Sequence, residues 1–122
     1  AIAYAVIEGV SFGLNDGLRA LRAAGSTVQR LSLVGGGARS AFWAQQLSSC
    51  LDLEIVTHAE STAGAALGAA RLGWLASGEA GVADVCKRPA DVHVYRPDAA
   101  QQDLLAGRAA RFRALYPALH AL

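Results

Sequence analysis

Three consecutive glycines, Gly35-Gly36-Gly37, lie between a strand-like run and a helix-like run, and they leave few folds open to this chain. Arg30-Leu31-Ser32-Leu33-Val34 reads as a short strand. From about Ser40 to Cys50, the residues Trp43, Leu47 and Cys50 recur at helical spacing. Leu53-Glu54-Ile55-Val56 is a second strand. Two strands joined through a helix need a crossover, which predicts a parallel, right-handed strand–helix–strand unit.

The turn itself is the first candidate for chemistry. Glycine has no Cβ, so its backbone can press against a planar ligand or a phosphate. The helix start behind it offers unpaired N–H groups and a positive dipole end. Ser40 can cap that helix or donate to a ligand. Three readings compete. A dinucleotide fingerprint wants glycine where Ser40 stands, and a P-loop wants a lysine that is not there. The third is a plain strand-to-helix turn without a ligand. Spacing alone does not choose among them.

The flanks read as helices. Residues 1–24 place Ile7, Val10, Leu14, Leu18 and Leu21 on one face, with Glu8, Ser11, Asn15, Arg19 and Arg22 on a polar face. Gly9, Gly13 and Gly17 form a stripe that sacrifices helix propensity, so a second backbone is expected to approach there. Gly25 is the stop signal. Ser61 or Thr62 is expected to cap a small-residue helix over about 63–77, which Gly78 closes. Residues 79–97 read as loop, with a short extended piece at Val92 and Val94. Asp98 with Gln101 is a capping-box start for a last helix that buries Leu105, Ala109, Phe112, Tyr116 and Leu119; Pro117 is expected to end or bend it. With only two firm strands, one sheet edge is left open, where the piece would pair with a missing half or with a second copy as a homodimer.

Composition closes off other classes. A net charge of +1 without a dense basic run argues against nucleic acid as partner. The cluster Arg108, Arg111 and Arg113 is at helical spacing and reads as a solvated face rather than a phosphate site. No apolar run reaches membrane-span length, so no membrane partner is expected. Cys50 and Cys86 form no framework, and His58, His93 and His120 supply no metal-ligand spacing, so no metal site is expected and the thiols read as reduced and cytoplasmic. The chain holds no methionine, and Ala1 to Val6 are already helical in character without a cap. The expectation is a piece of something longer.

Three ordered blocks resemble the FGGY carbohydrate kinases. Glu8-Gly9-Val10-Ser11-Phe12-Gly13-Leu14-Asn15-Asp16-Gly17 is similar to the helix before their nucleotide site. Gly35-Gly36-Gly37-Ala38-Arg39-Ser40-Ala41-Phe42-Trp43 resembles their adenosine-binding segment. Gly64-Ala65-Ala66-Leu67-Gly68-Ala69-Ala70-Arg71-Leu72 resembles their small-residue helix. The tail, Tyr95-Arg96-Pro97-Asp98 and the helix with Arg111-Phe112-Arg113, looks like the xylulose kinase branch.

The resemblance implies an α/β fold, the carboxyl-terminal part of a ribonuclease H-like, actin-like ATPase domain over residues 1–122. It implies an ATP- and Mg²⁺-dependent kinase that converts a ketopentose, D-xylulose, to its 5-phosphate. This piece would be the adenosine wall, with Gly36 and Gly37 against the adenosine and Ser40 reaching the base or ribose. Related kinases often carry Asn at the Ser40 position, so water mediation stays open there. The sugar, most of the Mg²⁺ site and the catalytic base would belong to the remainder, so no catalytic residue is expected here. Asp16 is expected in a helix-surface or packing role, Asp52 and Glu54 solvated, and His58 structural or exposed rather than at the cleft. A non-catalytic α/β module that uses the turn for packing or nucleotide binding is the alternative.

Overall fold

A computed structural model describes residues 1–59 and 61–120. Helix α1, Ile2–Ala23, ends where Gly25 turns the chain at φ 91°. Strand β1, Arg30–Ser32, leads through the glycine turn into helix α2, Ala41–Leu51. Strand β2, Glu54–His58, follows, then α3, Gly64–Ser77, and the single-turn helix α4, Val82–Val85. Strand β3, Asp91–Tyr95, and α5, Ala99–His120, complete the chain.

The expected parallel unit is present. β1 pairs with β2 in parallel, Leu31 opposite Ile55, and Leu33 extends the ladder by donating to Val56. The stretch read as loop adds a third strand. β3 pairs with β2 antiparallel, Val94 opposite Val56, in the order β1-β2-β3. The register slips between Thr57 and His58, a bulge at the strand end.

α1 and α2 cover one side of this sheet. Leu18, Leu47, Leu51, Leu53 and Ile55 form the main core, with Leu31, Leu33 and Trp43 packed against it. α5 lies across α1 and α2 through a smaller cluster of Phe12, Leu105 and Ala109. Ion pairs at its rim join Arg108 to Glu8 (2.8 Å) and Arg113 to Asp16 (3.6 Å), so two of the three clustered arginines tie helices together, and Asp16 serves packing as expected. Asp98 caps α5 through the Gln101 N–H.

Several expectations are corrected. Ser11, placed on the polar face, is fully buried, while Val10, Leu14 and Leu21 are about half exposed (48%, 48% and 54%). The reason is a polar node between helices. Ser11 Oγ donates to the Ile7 carbonyl and accepts from Trp43 Nε1 (3.3 Å) and Gln46 Nε2 (3.4 Å). Leu14 and Leu21 instead line an open apolar groove of about 490 Å³ with Gly13, Gly17, Val28 and Val34. Of the glycine stripe only Gly9 meets another helix, through Phe112 of α5 (3.9 Å), and among the described residues a Cβ at Gly13 or Gly17 would meet nothing within 4 Å. In α5, Leu105 and Ala109 are buried but Phe112, Tyr116 and Leu119 are exposed. Pro117 falls in the last turn, where it forfeits one ladder bond, and the helix still runs on to His120. Asp52 and Glu54 are engaged: Asp52 accepts from Gln102, and Glu54 pairs with Arg96 and Arg30.

Ser11→Ala should cost about 1–3 kcal/mol, because it strips partners from the half-buried Trp43 and the buried Gln46 donors at once. Urea unfolding measures it. A second expectation concerns the thiols. Burial, then the Glu8 carboxylate, pushes the Cys50 thiol up to about 11, whereas Cys86 is exposed. At pH 8 only about one Cys50 in a thousand is thiolate. A disulfide reagent should therefore take Cys86 fast and Cys50 slowly, with the slow phase gaining about tenfold per pH unit below its pKa.

Candidate functional site

Parallel strands bring their carboxyl ends to the same edge of a sheet, the usual place for ligands in α/β folds. Here the ends of β1 and β2 sit side by side, and each runs into a 3₁₀ turn and then a helix. The first turn is Gly36–Arg39 and the second Ser61–Ala63, and the two touch. The glycine turn is thus flanked by the amino-terminal ends of both α2 and α3, which pool their positive dipole ends and unpaired N–H groups.

The three glycines have three different duties. Gly35 takes φ 88°, ψ −173°, a conformation essentially reserved for glycine, and donates its N–H to the Ser61 carbonyl at 2.6 Å. Gly64 comes close as well: a Cβ there would stand 3.4 Å from the Gly35 nitrogen. Gly37 makes room for the chain's own Trp43, since a Cβ at 37 would fall 1.9 Å from Trp43 Cζ3. A side chain at 37 would therefore strike this indole first. Gly36 alone is exposed and has nothing within 4 Å of its Cβ direction.

Ser40 is the N-cap of α2, its Oγ accepting from the Trp43 N–H at 3.2 Å. The bond uses an acceptor lone pair, so the hydroxyl proton remains available to donate. Ser61, read as a cap for α3, does something else. Its Oγ accepts from the His58 backbone N–H, and the N-cap of α3 is Ala63, which offers no side-chain cap. His58 is buried at the end of β2, with Nε2 2.8 Å from Ser32 Oγ and Nδ1 3.2 Å from Asp91 Oδ1.

The structure places Gly36, Gly37 and Ser40 in one turn, beside Ser61, read only as a helix cap, Gly64, read only as part of the small-residue helix, and His58, expected to be structural or exposed. The parallel register of β1 and β2 was the available signal, because it makes the chain after β2 a neighbour of the chain after β1. Among the described residues no group of three metal-ligating side chains comes together, and no helix is long and apolar enough to cross a membrane.

Comparison with known proteins gives a consistent picture. The profile of the FGGY family of carbohydrate kinases, C-terminal domain, matches residues 1–77. A xylulose kinase of Escherichia coli (strain K12) is 34% identical over 119 residues, covering 97% of this chain and 25% of that protein. A xylulose kinase of Haemophilus influenzae is 36% identical over 83 residues, covering 68% of this chain and 17% of its own length. The crystal structure of a xylulose kinase from Brucella ovis superimposes with a TM-score of 0.82 at 40% identity, covering 99% of this chain and 25% of that one. One from Rhodospirillum rubrum gives 0.73 at 26%, covering 96% and 24%. The chain thus spans about a quarter or less of the relatives it matches. Its α/β fold is that of the carboxyl-terminal part of an actin-like, ribonuclease H-like ATPase domain. By its sequence and its fold alike, this chain belongs to the FGGY family of carbohydrate kinases.

Proposed function

We propose that residues 1–122 are the carboxyl-terminal part of the second domain of an ATP-dependent ketopentose kinase, acting on D-xylulose to give D-xylulose 5-phosphate, and that they supply its adenosine wall. The observation that carries the reading is the bare backbone at Gly36 beside two helix starts. It lies in a chain aligned over 97% of its length with a protein named xylulose kinase. An adenosine lying flat there needs a surface without Cβ atoms, and Gly36 offers it. Gly37 contributes backbone only, its Cβ side being taken by Trp43. Ser40 keeps a proton for the ribose or base, directly or through water.

ATP fits these residues as a wall contact. Its phosphates carry the chemistry, an in-line transfer to a sugar hydroxyl. What this chain does is bind and orient the far end of the nucleotide and exclude water from one side of it. Mg²⁺ does not fit: no ligand group for it is assembled among the described residues, so its site and the sugar's are assigned to the rest of the kinase, as is the base. We place that kinase in the cytoplasm. The free edge of β1 would pair within it, or with a second copy as a homodimer.

The test is nuclear magnetic resonance of the backbone amides in the full-length kinase as ATP is added. The amides of Gly35 to Ser40 should shift first and saturate together. Shifts confined to other segments would return the turn to the packing role of the alternative reading.

A further inference from the structure

We infer that His58 is a positioning residue for the glycine turn, holding Gly35 in place from the neighbouring strand. The inference rests on the reading of that turn as a nucleotide wall.

Within the turn the Ala38 N–H donates to the Gly35 carbonyl (3.1 Å) and the Ser40 N–H to the Gly37 carbonyl (3.0 Å). Its side chains are only those of Ala38, Arg39 and Ser40, and the Ser40 oxygen caps α2. A further restraint comes from outside and converges on one residue. His58 Nε2 contacts Ser32 Oγ at 2.8 Å, three residues before Gly35 on the strand that feeds the turn. The His58 backbone N–H donates to Ser61 Oγ, and the Ser61 carbonyl accepts the Gly35 N–H at 2.6 Å. Beside the Leu33–Val56 ladder bond, His58 thus reaches both approaches to Gly35, its ring along β1 through Ser32 and its backbone N–H across from the second turn through Ser61.

The ring is enclosed in turn. Its side chain is 6% exposed, and Asp91 on β3 places Oδ1 3.2 Å from Nδ1. Arg30 on β1 grips the other Asp91 oxygen at 2.6 Å, and Arg88 stands 3.8 Å from Oδ1. Nε2 and the Ser32 hydroxyl share one hydrogen bond. The bulge between Thr57 and His58 sets the residue where it spans all three strands.

The order Ser32, His58, Asp91 also has the composition of a nucleophilic triad. The geometry argues against that use. Nδ1 approaches the carboxylate without an aligned hydrogen bond, and Asp91 is already neutralised by Arg30. The ring lacks the orienting bond that a base for a serine nucleophile requires. What remains is a clasp whose output is the conformation of Gly35, a residue at a φ with little intrinsic preference to stay there.

The experiment uses the full-length kinase with His58→Ala, His58→Gln, Ser32→Ala and Gly36→Val. His58→Ala should raise the nucleotide Kd and the KM for ATP about tenfold while leaving the KM for sugar within about twofold. His58→Gln, whose amide reaches the Ser32 hydroxyl, should recover most of the loss. A merely structural residue would lower the melting temperature without this split or this rescue. Ser32→Ala removes one hydroxyl and guards against misfolding of the histidine variant; about a threefold rise in nucleotide Kd is expected. Unchanged nucleotide Kd in folded His58→Ala, or in Ser32→Ala, overturns the proposal. If Gly36→Val also leaves nucleotide affinity intact, the wall reading falls with it. If Gly36→Val abolishes binding while the other variants keep it, only the role of His58 is lost.

Discussion

Valine at position 37 is expected to unfold the turn, whereas valine at position 36 is expected to leave the fold alone and remove the nucleotide. The two residues are adjacent and chemically identical, so the contrast isolates what surrounds them. At Gly37 the added Cβ would lie 1.9 Å from one Trp43 ring carbon and 2.5 Å from another. The indole is half-buried against the core and bonded through Nε1 to buried Ser11, so retreat would loosen both contacts. Overpacking of this kind costs about 1–3 kcal/mol. Loss of the Ser11 bond adds about 1 kcal/mol more. At Gly36 the Cβ direction is open, and the residue adopts no left-handed φ, so the change in stability should stay within about 0.5 kcal/mol. An isopropyl group standing on the proposed adenosine surface should weaken ATP at least about tenfold without changing sugar affinity. Urea unfolding and nucleotide titration of the two variants check both halves. A Gly36 variant with native ATP affinity would leave the turn without its ligand, and a Gly37 variant of native stability would contradict the Trp43 packing.

This division of labour marks the boundary of what the sequence makes legible. The glycine run announces a turn between a strand and a helix, and the periodicities around it place α1, α2, β1 and β2 within a few residues. That information is local. Which glycine serves the turn, which serves Trp43 and which faces outward depends on where an indole six residues downstream comes to rest. Ser11 shows the same limit. Its position on a helical wheel says polar face, but Trp43 and Gln46 from α2 bury it. β3 escaped because Asp91, Val92 and His93 are exposed, so the strand pairs along one edge with little burial to pattern its sequence. The role of Ser61 depends on the sheet registers: the parallel β1–β2 pairing brings His58 to Ser32, and the antiparallel β2–β3 pairing sets it opposite Asp91. Conversely, Leu14, Leu21, Tyr116 and Leu119 carry core-like spacing yet are exposed within this chain. Their pattern reports a burial that the described residues do not provide.

The largest expected effect is a complete one: the 122-residue chain alone should release no ADP in response to D-xylulose, at a level equal to the protein-free control. Phosphoryl transfer needs the attacking hydroxyl, a base, the metal and the γ-phosphate held in line, and such positioning supplies about 7–11 kcal/mol of the barrier reduction. The chain's carboxylates are largely committed elsewhere. Glu8 and Asp16 are paired to arginines of α5, Glu54 and Asp91 to Arg30, and Asp98 caps a helix. None of these is free to take a proton from a sugar. No metal-ligating group assembles among the described residues, and the turn that would touch nucleotide carries no lysine. A wall that orients adenosine acts far from the bond that breaks, so it can sharpen affinity without performing transfer. A coupled ADP assay on the purified chain and on the full-length kinase, with and without D-xylulose, makes the comparison. Turnover by the short chain near the rate of the long one would mean that the base and the metal site lie within these residues, and would overturn the assignment of this chain as a binding wall.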